Sequence, residues 1–481
     1  MRSGRGSAGA APPEFSLEAT DHSILRRSLV ELFGDRSLRG PDGAAMRLAR
    51  QFLEQNRRHW ELLEARAEIE FDDSAPVLRL TTGARTGAIP LLSPFTGRHD
   101  LGLIIQPRFE WSGIGTVLAE TGWRVTPQPL PLPVLKRSAR RVPRWVLAVM
   151  VLARLETLLR ALARRFQMIE ETRRAPRGAV RWETYLRRHL PKARFLEVPC
   201  TFPDLRDDRE LRGAIRYCIE LQIRSLETQW EHGPLVHRLA EWAERLLLAV
   251  RDVAPRRPSP LMLDAWLRLP IRTPALREGI QAIEWTVEER GLAGTSDLEG
   301  IPWFLAMDQF FEAWVETVLT KVAHRTGATL KTGRLRQTLT PLEWDPPGSG
   351  TQTALVPDHW LHWPWGSLVA DAKYKRHWEE FEWREREDGS ETLREEHRRD
   401  LLQVLAYAGL ERGEQVVACL VYPCSLSTWE SCRARGRLFL RASLPVFGRA
   451  VWVWLTAVPM AANLERIVEA WVEQIRRSRA A

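Results

Sequence analysis

The stretch Thr353–Lys375, TALVPDHWLHWPWGSLVADAKYK, decides the fold of the last third of this 481-residue chain. Its first nine residues alternate and are partly β-branched, and its last nine, from Ser367, read as a second strand. Between them, Pro364-Trp365-Gly366 is a turn signal. If Asp358 pairs with Asp371, the midpoint of the hairpin falls inside this turn. The sequence therefore predicts a β-hairpin in which the two aspartates lie opposite each other.

Opposed residues of an antiparallel pair have Cβ atoms about 4.5–5.5 Å apart, so the carboxylates of Asp358 and Asp371 are expected to converge. Two converging carboxylates are costly to hold without a cation, and a hard ion such as Mg²⁺ is their natural partner. Alternation along the second strand puts Asp371, Lys373 and Lys375 on one face. Lys373 can stabilise charge that develops on a phosphate, or position an attacking water. The pattern indicates metal-assisted phosphodiester hydrolysis.

The distribution of lysine points to the same segment. The chain contains 64 arginines but only six lysines. A position that keeps lysine in so arginine-rich a sequence indicates a need for a compact, mobile ammonium. Two of the six, Lys373 and Lys375, lie in the second strand, with chance clustering as the alternative explanation.

A helix is predicted before the hairpin, over Trp303–Arg325, from the apolar face that includes Phe310 and Trp314. Glu312 and Glu316 lie four residues apart and share another face of this helix. Glu312 is the candidate acid of the site, with Glu316 as its competitor. Either residue could equally be an ordinary surface acid.

A second helix is predicted after the hairpin, over Leu401–Ala408. Gln403 and Tyr407 lie four residues apart on one face of it, either as site residues or as plain surface and core residues. The segment Gln415–Tyr422 then reads as a strand.

These motifs, taken in order, resemble the PD-(D/E)xK nuclease superfamily. The elements that carry the resemblance are Pro357-Asp358, Asp371-Ala372-Lys373, the Gln-x-x-x-Tyr pair Gln403 and Tyr407, and Glu312, which is similar to the helix-borne acid of that superfamily. More narrowly, the chain resembles McrC, the nuclease subunit of McrBC-type restriction systems, over roughly residues 177–422. The segments behind this narrower resemblance are Phe310-Phe311-Glu312, Arg177–Trp182, Val198–Phe202 and Asp207-Asp208. The N-terminal 140 residues match that family only faintly.

The resemblance implies a metal-dependent DNA endonuclease in a restriction or anti-phage defence system. It implies that Asp358, Asp371 and Glu312 hold Mg²⁺, or Mn²⁺ as an alternative, and that Lys373 serves the transition state. Gln403 and Tyr407 would orient the site or contact the DNA backbone. The implied partner is a McrB-like AAA+ GTPase that translocates DNA. The chain itself has no Walker A lysine, so we expect it to bind no nucleotide.

Composition agrees with a folded protein that has an anionic partner. Hydrophobic residues make up 44% and charged residues 27%, the net charge is +9, and the isoelectric point is near 9.7. Five cysteines form no CxxC pair, which favours a reducing compartment. The longest apolar run, Trp145–Ala153, is too short to cross a bilayer. We therefore expect a cytoplasmic protein that has no membrane partner.

The expected fold class is α/β, with a mixed N-terminal region, a helical middle region, and a C-terminal nuclease domain in which helices flank a central mixed sheet. Helical spacing dominates residues 15–70, strand-like patterns follow to about residue 125, and the four prolines of Pro127–Pro133 predict a linker. The basic stretch Lys136–Arg144 either contacts phosphates or opens a solvated helix. The domain boundaries that we predict are 1–14 for a flexible tail, 15–135 for the N-terminal region, 136–300 for the middle domain and 301–481 for the nuclease domain.

Two other functions remain open on the sequence: a DNA-binding adaptor that does not cut, and a nuclease that acts on RNA. The intact Asp358, Asp371 and Lys373 argue against the adaptor, whereas no sequence feature excludes RNA. His359 and His362 lack a spacing suited to metal ligation. The tryptophans of the hairpin are interpreted as packing residues rather than base-stacking ones.

Overall fold

Local sequence signals set some of the helix ends. Ser259 and Thr273 accept hydrogen bonds from the backbone N–H groups of Met262 and Leu276, and a proline follows each cap in the first turn. The computed structural model describes residues 16–29, 32, 44–72, 75–133, 142–162, 165–206, 209–230, 233–268, 273–288, 291–292, 300–346, 350–376, 378, 391–413, 415–446, 449–461 and 463–480. The predicted tail 1–14, most of the basic stretch 136–144 and the pair 207–208 lie outside these residues.

The chain divides into two compact units, residues 1–146 together with 291–481, and residues 147–290. The fold is mixed α/β, as predicted. Among the described residues, no helix has the length and apolar character that a bilayer span requires.

The N-terminal part of the first unit alternates strands and helices. Its elements are β1 (Ser16–Thr20), β2 (Ile24–Ser28), α1 (Ala44–Gln55), α2 (Arg57–Leu62), β3 (Arg66–Asp72), β4 (Ala75–Thr81), β5 (Arg85–Leu91), β6 (Leu101–Gln106), α3 (Trp111–Glu120) and β7 (Gln128–Pro129). The helical prediction for 15–70 is right for α1 and α2, where Phe52 and Trp60 are buried with their rings edge to face at 5.6 Å. It is wrong for β1 and β2, since β1 pairs in parallel with β6, far along the chain, and such pairing overrides local spacing.

The second unit consists of helices and a small sheet. Its elements are α4 (Trp145–Ala161, which begins at the unit boundary), β8 (Arg165–Arg173), β9 (Ala179–Val180), β10 (Val198–Arg206), α5 (Arg209–Glu227), α6 (Pro234–Leu248), α7 (Pro260–Leu267) and α8 (Pro274–Val287). Strand β10 lies between β8 and β9, antiparallel to both. The predicted mainly helical middle region therefore needs a correction, because this region also holds a three-stranded sheet.

The C-terminal part of the first unit contains the remaining elements. They are β11 (Gly291–Leu292), β12 (Gly300–Ile301), β13 (Trp303–Ala306), α9 (Met307–Thr326), β14 (Thr329–Thr332), β15 (Thr340–Pro341), β16 (Ala354–Leu355), β17 (His359–Trp363), β18 (Gly366–Ala372), α10 (Glu391–Gly409), β19 (Val416–Cys424), α11 (Leu426–Ala434), β20 (Phe439–Val446), β21 (Arg449–Pro459) and α12 (Leu464–Ala480). Six of these strands form one mixed sheet in the order β14-β17-β18-β19-β21-β20. Helices α9, α10 and α11 pack against it, and α12 packs against α9.

Strand β13 belongs to a different sheet from the strands that follow it. It lies between β5 and β7 in the five-stranded N-terminal sheet, β1-β6-β5-β13-β7. The predicted helix over 303–325 is therefore wrong for its first four residues, and part of the predicted linker 127–133 is strand β7. Because α9 follows β13 without a break, the N-terminal sheet sets where this helix begins.

Candidate active site

The hairpin β17–β18 has the register that the sequence predicts. His359 pairs with Ala370, and Trp363 pairs with Gly366 at the turn. One step beyond His359, the same register sets Asp358 opposite Asp371. The first strand is shorter than predicted, because residues 354–355 form β16 and pair with β15, and Pro357, which has no N–H to donate, comes before β17. The second strand also ends earlier, at Ala372.

Asp358 and Asp371 form an acidic pair in which Asp371 is buried and Asp358 is half-buried. Oδ2 of Asp358 accepts a hydrogen bond of 2.9 Å from the backbone N–H of Ala372, and Asp371 is 1% exposed. Burial raises the pKa of Asp358 well above its ordinary value, and the negative charges of Asp371 and Glu312 raise it further. Burial also raises the pKa of Asp371, although Lys373 beside it acts in the opposite direction. The two carboxyl groups therefore repel a second negative charge and favour a proton or a cation between them.

Lys373 connects the acidic pair to helix α10. Its Nζ lies 2.7 Å from Oδ2 of Asp371 and 2.9 Å from Oε1 of Gln403. Nε2 of Gln403 donates in turn to the hydroxyl of Tyr407, at 2.9 Å. Burial alone would lower the pKa of Lys373, but the charge of Asp371 raises it, so the ammonium stays protonated. Hydrogen bonds thus connect Gln403 to Lys373 directly and Tyr407 to Lys373 through Gln403.

The two glutamates of helix α9 have different surroundings. Glu316 is buried and forms an ion pair of 2.8 Å with Arg124 and hydrogen bonds of 2.7 and 3.0 Å with Arg334. Glu312 lies close enough to Asp371 for that charge to raise its pKa, after the larger effects of burial, Glu316 and Asp308. Two arginines therefore neutralise Glu316, while the charge of Glu312 acts on Asp358 and that of Asp371 acts on Glu312.

The sequence reasoning missed a second lysine–aspartate pair beside the first. Nζ of Lys375 lies 2.7 Å from Oδ1 of Asp400, which is 4% exposed, and the hydroxyl of Tyr422 donates to Oδ2 of Asp400 at 3.3 Å. The charge of Asp400 also acts on Lys373. The available signal was spacing, since Asp400 lies three residues before Gln403 on α10 and therefore shares its helical face.

The histidines and tryptophans of the hairpin mostly pack. His359 is fully buried, and burial lowers its pKa to about 4, so it is neutral at pH 7. The indole N–H of Trp363 donates to the hydroxyl of Thr326 at 3.1 Å, and its ring stacks on Trp365 at 5.0 Å. Trp378 is 2% exposed.

A hard divalent ion such as Mg²⁺ requires oxygen donors, which this site offers as carboxyl groups. No group of three His, Cys, Asp or Glu side chains with the arrangement of a metal site occurs in the part of the chain that the structure describes. The donors at this site are the facing carboxyls of Asp358 and Asp371, with Glu312 near them. This set fits Mg²⁺, which usually binds through one or two carboxylates and completes its shell with water and phosphate oxygens.

Fold and site together define a mixed α/β protein in which two aspartates and a lysine meet at the end of a β-hairpin, with a glutamate near them. Residues 287–423, which contain these side chains, match the family described as "McrBC 5-methylcytosine restriction system component". Over these residues, the match confirms the resemblance to McrBC-type restriction systems that the motifs indicated.

Two solved structures are similar to the chain. One is the refined half-complex from a tetradecameric assembly of Thermococcus gammatolerans McrB AAA+ hexamers with bound McrC, at 14% identity over 96% of this chain and 100% of that chain, with a TM-score of 0.42. The other is the cryo-EM structure of the Thermococcus gammatolerans McrBC complex, at 14% identity over 64% of this chain and 88% of that chain, with a TM-score of 0.27. No curated protein matches the chain.

Proposed function

We propose that this chain is a metal-dependent DNA endonuclease of the PD-(D/E)xK class and the nuclease subunit of a McrBC-like restriction or anti-phage defence system. The observation that carries the proposal is the convergence of Asp358, Asp371 and Lys373 at the open end of the hairpin. The family match over residues 287–423 supports the restriction role.

Asp358 and Asp371 would hold Mg²⁺ or Mn²⁺, with Glu312 contributing directly or through water. When bound, such an ion polarises a phosphoryl oxygen and lowers the pKa of a water molecule. The buried carboxyls raise each other's affinity for a cation, because each destabilises the other's negative charge.

Lys373 would stabilise negative charge on the scissile phosphate. Its raised pKa keeps it protonated, so it offers three N–H donors, two of which point to Asp371 and Gln403. Tyr407 holds Gln403, and Gln403 in turn holds the ammonium in one direction. This preorganisation is the usual source of electrostatic stabilisation of a transition state.

The proposed partner is a McrB-like AAA+ GTPase, as the family match suggests. The sequence has no Walker A lysine, so GTP hydrolysis belongs to that partner in this proposal. The net charge of +9 suits DNA as the substrate.

The test is cleavage of linear and circular plasmid DNA with Mg²⁺ or with EDTA, by the wild type and by Asp371→Ala, with and without the AAA+ protein and GTP. Asp264→Ala is the matched control, because Asp264 is an exposed aspartate of α7 in the other unit. Cutting by the wild type and the control, but not by Asp371→Ala or with EDTA, is the expected result. A wild type that binds DNA or the partner but never cuts would favour an adaptor, and cutting of RNA alone would identify a ribonuclease.

A further inference from the structure

The two residues after Lys373 are held by the N-terminal sheet rather than by the sheet that carries the site. Tyr374 is buried, and its hydroxyl donates a 2.5 Å hydrogen bond to Oδ2 of Asp21, 353 residues earlier in the chain. Nη2 of Arg108 donates to the carbonyl oxygen of Lys375 at 2.9 Å. The side chains of Asp21 and Arg108, from the first quarter of the chain, thus form hydrogen bonds with the segment that bears the proposed catalytic lysine.

The topology explains why Asp21 and Arg108 lie together. Strands β1 and β6 are parallel neighbours, and their last residues, Thr20 and Gln106, pair directly. Parallel strands end at the same edge of a sheet, so the residues that follow them emerge side by side. The backbone N–H of Arg108 donates to Oδ1 of Asp21 at 2.6 Å, which leaves Oδ2 for the tyrosine.

Aromatic packing adds to the contacts of Asp21 and Arg108 with Tyr374 and Lys375. These contacts together form the joint between the N-terminal sheet and the segment after Lys373. The Arg108 guanidinium lies 4.7 Å from the centre of the Tyr374 ring, a cation–π contact. The ring of Tyr374 also lies 6.2 Å from Phe109 and 6.1 Å from Phe311. Phe311 is the residue before Glu312, so Tyr374 contacts α9 immediately beside the proposed helix-borne acid.

The N-terminal sheet is therefore connected to the site in two ways. One runs through β13, which continues directly into α9 and Glu312. The other runs through Asp21 and Arg108 to Tyr374, next to Lys373. The strand of the site has already ended at Ala372. The N–H of Lys373 donates to the carbonyl of Val421 at 2.9 Å, and the carbonyl of Lys373 accepts a hydrogen bond of 2.9 Å from the N–H of Lys375.

We propose that Asp21 and Arg108 are positioning residues of the nuclease: through Tyr374, they fix Lys373 relative to Asp371 and Glu312. The N-terminal sheet thereby helps to position the proposed catalytic lysine. This inference rests on the proposed nuclease function. Displacing a catalytic group by about 1 Å can cost on the order of 100-fold in rate, so a small loosening of this joint is enough to be measured.

The decisive variants are Tyr374→Phe, which removes one hydroxyl and keeps the ring, and Asp21→Asn. The single-turnover rate of plasmid cleavage by the full chain, with the AAA+ protein, GTP and Mg²⁺, should fall about 10- to 100-fold in each. The Kd for the same plasmid should not change, since neither side chain is placed to contact DNA. The double variant should be no slower than the slower single variant, because both changes remove one contact.

Two matched controls separate positioning from a general loss of stability. Tyr185→Phe also removes a tyrosine hydrogen bond, to the carbonyl of Phe195 at 3.1 Å, and Asp100→Asn removes a charge from the N-terminal part of the first unit. Both should cut at the wild-type rate. Unchanged rates in Tyr374→Phe and Asp21→Asn, or a double variant whose losses multiply, would overturn the proposal.

Amide hydrogen exchange tests the joint without any cleavage. In Tyr374→Phe and Asp21→Asn, the amides of residues 371–376 should exchange faster than in the wild type, and those of β19 should not. If the wild type cuts no DNA, the nuclease proposal fails, and exchange alone then decides whether the joint positions Lys373. Exchange that matches the wild type in both variants would reject the joint.

Discussion

Nζ of Lys373 lies 2.7 Å from Oδ2 of Asp371, which lies two residues earlier in the chain, near the end of β18. Alternation along a strand puts residues i and i+2 on one face, and this geometry persists here although the regular strand ends at Ala372. An ammonium held beside a buried carboxyl group can stabilise negative charge on a phosphate only if the ammonium is compact and its N–H groups have a fixed direction.

Replacing Lys373 with arginine should abolish function despite the kept charge. The planar guanidinium is larger than the ammonium and cannot occupy the space between Asp371 and Gln403 in the same geometry. We expect Lys373→Arg to lower the single-turnover cleavage rate by about 100-fold or more. Lys331→Arg, an exposed lysine of β14, should cut normally. An active Lys373→Arg would show that charge alone suffices.

The two glutamates of α9 should separate activity from stability. Glu312→Gln should remove cleavage with little change in the urea midpoint of unfolding, because Glu312 has no arginine partner among the ion pairs of the described residues. Glu316→Gln should keep measurable cleavage but lower the free energy of unfolding. The loss should be about 1–2 kcal/mol, since the arginine partners are about 40% exposed or more and solvent screens them. The reverse pattern would make Glu316 the acid of the site.

The effect of Glu316 should depend on pH. Burial alone would raise its pKa, but the hydrogen bond and charge of Arg334 lower it below the ordinary value. The stability that it contributes is therefore present above the pKa of the unfolded chain and is lost as pH falls through the lower folded value. Urea unfolding at a series of acidic pH values should show a flatter decline for Glu316→Gln than for the wild type. Parallel declines would contradict this.

The acidic pair should have the opposite pH dependence. Burial raises the pKa of Asp358, so the folded protein binds more protons than the unfolded chain between the ordinary and the raised value. The free energy of unfolding should fall as pH rises through that window. Asp358→Asn has no charge to bury, and it should flatten this slope and raise the urea midpoint at pH 7 in EDTA. Asp264→Asn is the control, and an equal slope in Asp358→Asn and the wild type would refute the prediction.

A divalent ion should relieve the same repulsion. Ligand binding to the folded state stabilises it by about 2.7 kcal/mol at a concentration 100 times the Kd. We expect Mg²⁺ or Mn²⁺ to raise the thermal midpoint of the wild type, with no rise for Asp358→Asn or Asp371→Asn. Scanning fluorimetry in a metal titration measures this without DNA. A rise of the same size in both variants would place the ion elsewhere.

The sequence by itself determined the hairpin, its register and the residues at its open end. A proline–glycine turn and the two-residue period of a strand are local steric rules, so the pairing of Asp358 with Asp371 follows from spacing alone. The same rules put Lys373 beside Asp371, and the four-residue spacing of a helix put Gln403 and Tyr407 on one face. These inferences needed no contact between distant segments.

Only the tertiary structure distinguished Glu316 from Glu312, because the ion pairs of Glu316 come from Arg124 and Arg334, which lie far from each other in sequence. It also placed Asp400 against Lys375, and Asp21 against Tyr374. The strands β1 and β2 were misread for the same reason, since β1 is ordered by parallel pairing with β6 rather than by its own period. Side-chain spacing determines which residues of a segment share a face, whereas packing between distant segments determines which contacts those residues make.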